Sequence, residues 1–98
     1  MYVVRDIFHL KFGAFKDAMQ LMKQAKEQDL LPGSSTRILS DFTGPSYRFI
    51  FENQYDSLSA YEKDLTGGMK AAEWQNWYNQ FKQHVVSSER EILKSHEL

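Results

Sequence analysis

The fold available to this 98-residue chain is decided by how residues 84–94, HVVSSEREILK, are read. Ser88 followed three residues later by Glu91 is a helix-capping pattern, in which side-chain oxygens satisfy the first free amides of a helix. A helix there would bury almost nothing, because Ile92 and Leu93 are the only large apolar residues between Val86 and Leu98. The β-branched pair Val85-Val86, by contrast, leads into alternating residues, and a strand can use both of its faces. We read the stretch as a closing strand, which spreads Glu89, Arg90 and Glu91 over two faces of a sheet.

The rest of the chain supplies partners for that strand. Tyr2 to Phe12, YVVRDIFHLKF, alternates without a helical stripe: Val4, Phe8 and Leu10 share one face, Val3, Ile7 and His9 the other. Gly13 breaks this first strand. Phe15, Ala18, Met19, Met22 and Ala25 then recur at helix spacing, in a helix that Pro32-Gly33 should stop. SSTRILSDF and YRFIFENQY flank the turn residues Thr43-Gly44-Pro45-Ser46 and form a hairpin. Asp56 is placed to cap a short helix burying Leu58, Tyr61 and Leu65, which Thr66-Gly67-Gly68 interrupts. Trp74, Trp77, Tyr78, Phe81 and Val85 then fall on one helical stripe, aromatic until its last member.

The resulting order, βαββαβ over a single domain 1–98, is an α+β fold: one four-stranded antiparallel sheet with its helices on one face. Right-handed crossovers give strand order 4-1-3-2. The second face is left uncovered, yet it should show Val3, Ile7, Ile50 and either Val85 with Leu93 or Val86 with Ile92. A half-apolar open sheet calls for another sheet, so we expect a homodimer packed face to face.

Twelve Lys and Arg stand against thirteen Asp and Glu with no basic block, which argues against nucleic acid as a partner. The absence of cysteine excludes disulfides, thiolate metal sites and a cysteine nucleophile, and fits the cytoplasm. Apolar runs are too short to span a bilayer. MYVVRDIF lacks the apolar stretch of a signal peptide. The ending KSHEL matches an endoplasmic-reticulum retention signal only loosely.

Several stretches carry a family likeness. FHLKFGAFKDAMQL resembles the strand, Gly turn and helix that open NIPSNAP-like and antibiotic-biosynthesis-monooxygenase-like members of the dimeric α+β barrel superfamily, where LKPGK is common, with Phe12 in place of the Pro of that turn. TGPSYRFIFENQYDSLSAYEKDL resembles the NIPSNAP-like centre through Gly44, Glu52, Ser57, Leu58, Tyr61 and Glu62, and SEREIL resembles its closing strand. The resemblance implies a ferredoxin-like subunit and a dimeric barrel built from two sheets. It implies no single activity, because the superfamily spans cofactor-free oxygenases, haem-degrading proteins, isomerases and proteins with no known reaction.

Two groups of residues could carry chemistry. On the helix-facing side, Asp6 sits in an apolar row and needs a partner, which Arg90 of the closing strand can supply. With Trp74, Trp77, Tyr78 and Tyr61 nearby, the pair reads as the polar end of a pocket for a hydrophobic, planar small molecule, oxidised or isomerised without metal or cofactor. It also reads, more plainly, as a packed aromatic core with a buried salt bridge. The open face collects Arg5, His9, Arg48, Glu52, Glu89 and Glu91. There His9 could serve as a general base in a barrel interior, or the charges could only fix register between two sheets in a non-catalytic dimerisation scaffold. His84 could hold haem axially, though a histidine at a helix C-terminus more commonly complements the dipole. No metal-ligand spacing and no phosphate loop is present.

Overall fold

The computed structural model describes residues 1–31, 37–68 and 72–98. Its strands are β1 (Tyr2–Leu10), β2 (Arg37–Ser40), β3 (Arg48–Tyr55) and β4 (Val85–Lys94). Its helices are α1 (Phe15–Glu27), α2 (Leu58–Gly68) and α3 (Ala72–Phe81), with a 3₁₀ turn at Lys82–His84. The strands form one antiparallel sheet in the order β2-β3-β1-β4. That is the expected 4-1-3-2 order read from the other edge, in the ferredoxin-like α+β arrangement. HVVSSEREILK is therefore a strand, and Ser88 caps nothing: it lies opposite Phe8.

Alternation assigns the faces. Phe8 pairs with Phe49 and Asp6 with Phe51. Rings of this side meet edge to face, with Phe8 and Phe81 centroids 5.0 Å apart and Phe49 and Phe51 5.7 Å apart. Against them α1 lays Ala18, Leu21, Met22 and Ala25, all buried. Phe49 and Phe81 are fully enclosed, so the core lies between the sheet and helices α1 and α3.

Local chemistry sets the joints. Gly13, at φ 81, makes the tight turn in which the Ala14 amide donates to the Lys11 carbonyl over 3.0 Å. Helix α1 ends at Glu27, well ahead of the expected stop. Pro32-Gly33 lies outside the described residues, and the actual terminator is Asp29 in the left-handed region, φ 54. The Asp29 amide donates to the Lys26 carbonyl and the Leu30 amide to that of Ala25, a Schellman closure without the usual glycine.

Helix α2 corrects three further expectations. Ser57, not Asp56, is its cap: the Ser57 hydroxyl accepts from the Ala60 amide at 3.1 Å. Leu58 on its first turn is half exposed rather than buried. Thr66-Gly67-Gly68 does not interrupt it, since Thr66 returns its hydroxyl to the Glu62 carbonyl and the helix runs on to Gly68. Strand β2 is shorter than SSTRILSDF. Its first three residues lie outside the described residues, and Asp41 and Phe42 belong to the loop.

The open face differs from expectation at one point. A register shift between His9 and Leu10 places Val85 opposite Leu10 and Ser87 opposite His9. Val85 therefore packs on the helix side of the sheet, whereas Leu93, opposite Val3, belongs to the open face. Neither expected pair holds, because Val86 sits at the irregularity and is exposed. Ile7 and Ile50 face each other across this open side and are nonetheless buried.

Candidate functional site

Between the sheet and the helices lies a cavity of about 970 Å³, in the range that small-molecule sites occupy. Its floor is aromatic, from Phe8, Phe51 and Phe81. Its sheet edge is Asp6 with Arg90, and its walls come from α3, α2 and the segment that follows α1. Phe8 and Phe51 were not singled out in the sequence, although alternation along β1 and β3 already pointed them inward.

The aromatic stripe of α3 resolves into two stacks, each made by residues four apart. Trp77 lies flat on Phe81, centroids 5.2 Å apart and planes 8° apart. Trp77 is buried, and its indole N–H donates to the Leu21 carbonyl over 2.6 Å, so it pins α3 to α1 as well as touching the cavity. Trp74 lies flat on Tyr78, centroids 4.9 Å and planes 9° apart. That outer stack is only half buried and forms a wall with one side toward the cavity.

At the sheet, Asp6 and Arg90 are direct cross-strand partners, and Arg90 Nε donates to Asp6 Oδ1 over 2.5 Å. Burial works against the Arg90 charge most strongly of any single cause, but the Asp6 hydrogen bond and the Asp6 charge, with Tyr61 and Tyr78 nearby, together outweigh it and leave the guanidinium pKa raised. Tyr61 does not line the cavity. Its ring lies under the Arg90 guanidinium, 5.8 Å from carbon to centroid, and its hydroxyl is buried without a hydrogen-bond partner among the described residues. Burial, with Asp6 nearby, pushes the Tyr61 phenol up. Beside it Tyr55 donates to Asp64 over 2.8 Å. Burial and that bond raise the Tyr55 phenol well above the ordinary tyrosine range.

The open face brings five of its six expected residues into one pattern. One cross-sheet row reads Arg37, Glu52, Arg5, Glu91, alternating in sign through all four strands. Arg37 bonds Glu52, Arg5 lies 3.9 Å from Glu52, and Arg5 donates to Glu91 at 3.2 Å. His9 reaches Glu89 diagonally at 3.0 Å. Arg48 stands apart, turned instead to Asp41, which accepts from its backbone amide and its guanidinium. Arg48 thereby holds the Asp41 carboxyl below the usual carboxylate range. Arg37 and Asp41 were missed in the sequence. Register supplies the first, and a loop that curls back supplies the second.

His84 does not line the cavity, and its carbonyl accepts from the Lys11 amide. Among the described residues no three His, Asp or Glu side chains are grouped to hold a metal ion, and no helix is long and apolar enough to cross a membrane.

No protein-family model matches the chain and no curated protein matches it in sequence. Solved structures do match in shape. Protein Atu4242 from Agrobacterium tumefaciens superposes with a TM-score of 0.89 at 14% identity, over 98% of this chain and 94% of that one. An uncharacterised NIPSNAP domain protein from Burkholderia xenovorans gives 0.84 at 13% identity, over 98% and 95%. An antibiotic biosynthesis monooxygenase gives 0.71 at 13%, over 99% and 100%. By the shape of its backbone, the chain has the fold that NIPSNAP family proteins and antibiotic biosynthesis monooxygenases share.

Proposed function

We propose that the protein is a homodimer that binds a hydrophobic, planar small molecule in the cavity between helices and sheet. The observation that carries this reading is the cavity itself: about 970 Å³, with the flat Trp74–Tyr78 stack on one side and the Asp6–Arg90 pair on another. A stacked wall offers a large rigid apolar face, and the ion pair offers one acceptor and one donor edge, which together suit a flat molecule with a polar rim. Any oxidation or isomerisation of the ligand would draw on Asp6, Arg90 and Tyr78, the polar groups bordering that space. One structural neighbour is named a monooxygenase, and in this chain such chemistry would belong to the same cavity.

Dimerisation is supported by the open sheet face, where the exposed Leu93, opposite Val3, stands beside a row of alternating charge. The same face supports a second reading, a dimerisation scaffold without a ligand, in which His9 and Glu89 only fix how two sheets meet. We place the protein in the cytoplasm on its lack of cysteine.

Native mass spectrometry of freshly purified protein tests these readings together. The expected species is a dimer, at twice the 11.5 kDa of one chain, carrying a small-molecule adduct that Trp74→Ala loses. A dimer without adduct that also takes up no planar probe favours the scaffold. A monomer refutes the face-to-face assembly.

A further inference from the structure

The cavity is charged as well as aromatic. Among the described residues its lining includes five acidic and two basic residues, of which Glu89 turns its carboxylate to the open face of the sheet. Arg90 is neutralised by Asp6, and Glu89 is engaged by His9. That leaves Asp64, which accepts from Tyr55, together with Asp29 and Glu73. The last two have no ion pair among the described residues, and both are exposed at the cavity mouth. Lys63 is the one cation of the lining without a paired carboxylate among the described residues. Among the described residues negative charge is thus in excess, in a concavity whose apolar walls concentrate the field. Trp74 and Tyr78 cover one face of each other, and the outer ring faces that remain carry the negative side of the aromatic quadrupole and attract cations.

We infer that the cavity selects a planar, mostly apolar ligand bearing a protonated nitrogen at its edge. This rests on the cavity's being a ligand site and adds the chemical class of the ligand. The ring system lies along the Trp74–Tyr78 stack, and its N–H groups donate toward the carboxylates of Asp29 and Glu73 at the mouth. A neutral ring of the same size gains only the stacking, and an anionic one meets the carboxylates with like charge.

Three tricyclic probes of nearly one size separate the terms: proflavine as the cation, acridine at slightly alkaline pH as the neutral ring, and anthracene-2-sulfonate as the anion. Each is titrated calorimetrically into the intact protein. Proflavine should bind at least roughly tenfold more tightly than acridine, the factor expected from one charge-assisted or cation–π contact. That ratio should fall to roughly threefold or less in Asp29→Asn/Glu73→Gln, and similarly in concentrated salt. Both substituted residues are exposed, so the double variant should melt as the wild type does. Trp74→Ala should weaken proflavine as well. Acridine binding as tightly as proflavine, or the sulfonate binding best, overturns the charge selection and leaves the cavity a ligand site. Proflavine unaffected by Trp74→Ala places the dye outside the cavity and overturns the inference. Failure of all three probes to bind overturns the inference and the ligand-binding reading with it.

Discussion

Removing Trp77 tests whether the inner and outer aromatic stacks have different jobs. Trp77 is 6% exposed, so Trp77→Ala uncovers nearly a whole indole, about 200 Å² of mostly apolar surface. At about 25 cal/mol per Å² that is about 5 kcal/mol. The lost hydrogen bond to the Leu21 carbonyl adds about 1 kcal/mol. The unfolded chain already buries part of that surface, which lowers the sum by about a third, and water can enter the vacated space from the adjoining cavity, so little is added for an empty hole. The net expectation is a loss of about 4 kcal/mol, inside the range for large-to-small core changes. Trp77→Phe keeps most of the area and loses the bond, for about 1.5 kcal/mol. Trp74→Ala, half exposed and stacked only on Tyr78, should cost about 1 kcal/mol. Urea unfolding followed by circular dichroism gives each value, and thermal melts check it at about 4–8 °C per kcal/mol for a domain of this size. Equal costs for Trp74→Ala and Trp77→Ala, or a Trp77→Ala cost below about 1.5 kcal/mol, would refute the division into a structural inner stack and a ligand-facing outer one.

Other perturbations probe the polar groups. Asp6→Asn leaves Arg90 without its charge partner, and because both side chains are partly exposed the cost should be about 1 kcal/mol. A double-mutant cycle with Arg90→Gln that shows no coupling would mean the pair contributes nothing. Asp41 is held below the ordinary carboxylate range by Arg48. Its contribution is therefore full above the unfolded value of about 3.9 and is lost as pH falls through the lower folded value. Asp41→Asn should flatten the acid limb of stability against pH, and an unchanged limb would count against the loop clasp. Tyr55 is raised by burial and by its bond to Asp64. Its contribution is full below about pH 10 and is lost as pH rises through the folded value, so Tyr55→Phe should remove part of the alkaline destabilisation seen in urea midpoints. If Tyr55 ionises at its ordinary pH by tyrosinate absorbance, the buried bond to Asp64 is absent.

The sheet was legible because alternation is a local property. Val4, Phe8 and Leu10 on β1 declare a face without reference to the rest of the chain, and Asp6 in that row calls for Arg90 once β4 is taken as a strand. What stayed hidden depended on contacts distant in sequence. Helix spacing puts Trp74 and Trp77 on one stripe, and only the Leu21 carbonyl, fifty-six residues away, makes one of them structural. The irregularity beside Val86 shifts the pairing of Val85 without any glycine to announce it. Gly67-Gly68 looks like a break by propensity, yet α2 includes both. Asp29 ends α1 in a conformation usually left to glycine, so a search for Pro or Gly overshoots the helix end.

The alternating row Arg37, Glu52, Arg5, Glu91 has a further property: it is its own complement when reversed. Suppose the proposed dimer lays one open face on another. Turning the second copy about an axis along the strands reverses the row, so that each positive charge faces a negative one. Turning it about the row itself sets arginine over arginine and glutamate over glutamate. Only one of these two-fold arrangements avoids like-charge contact. Four side chains on one strip of sheet can therefore specify not merely that two copies meet, but which way round they do so.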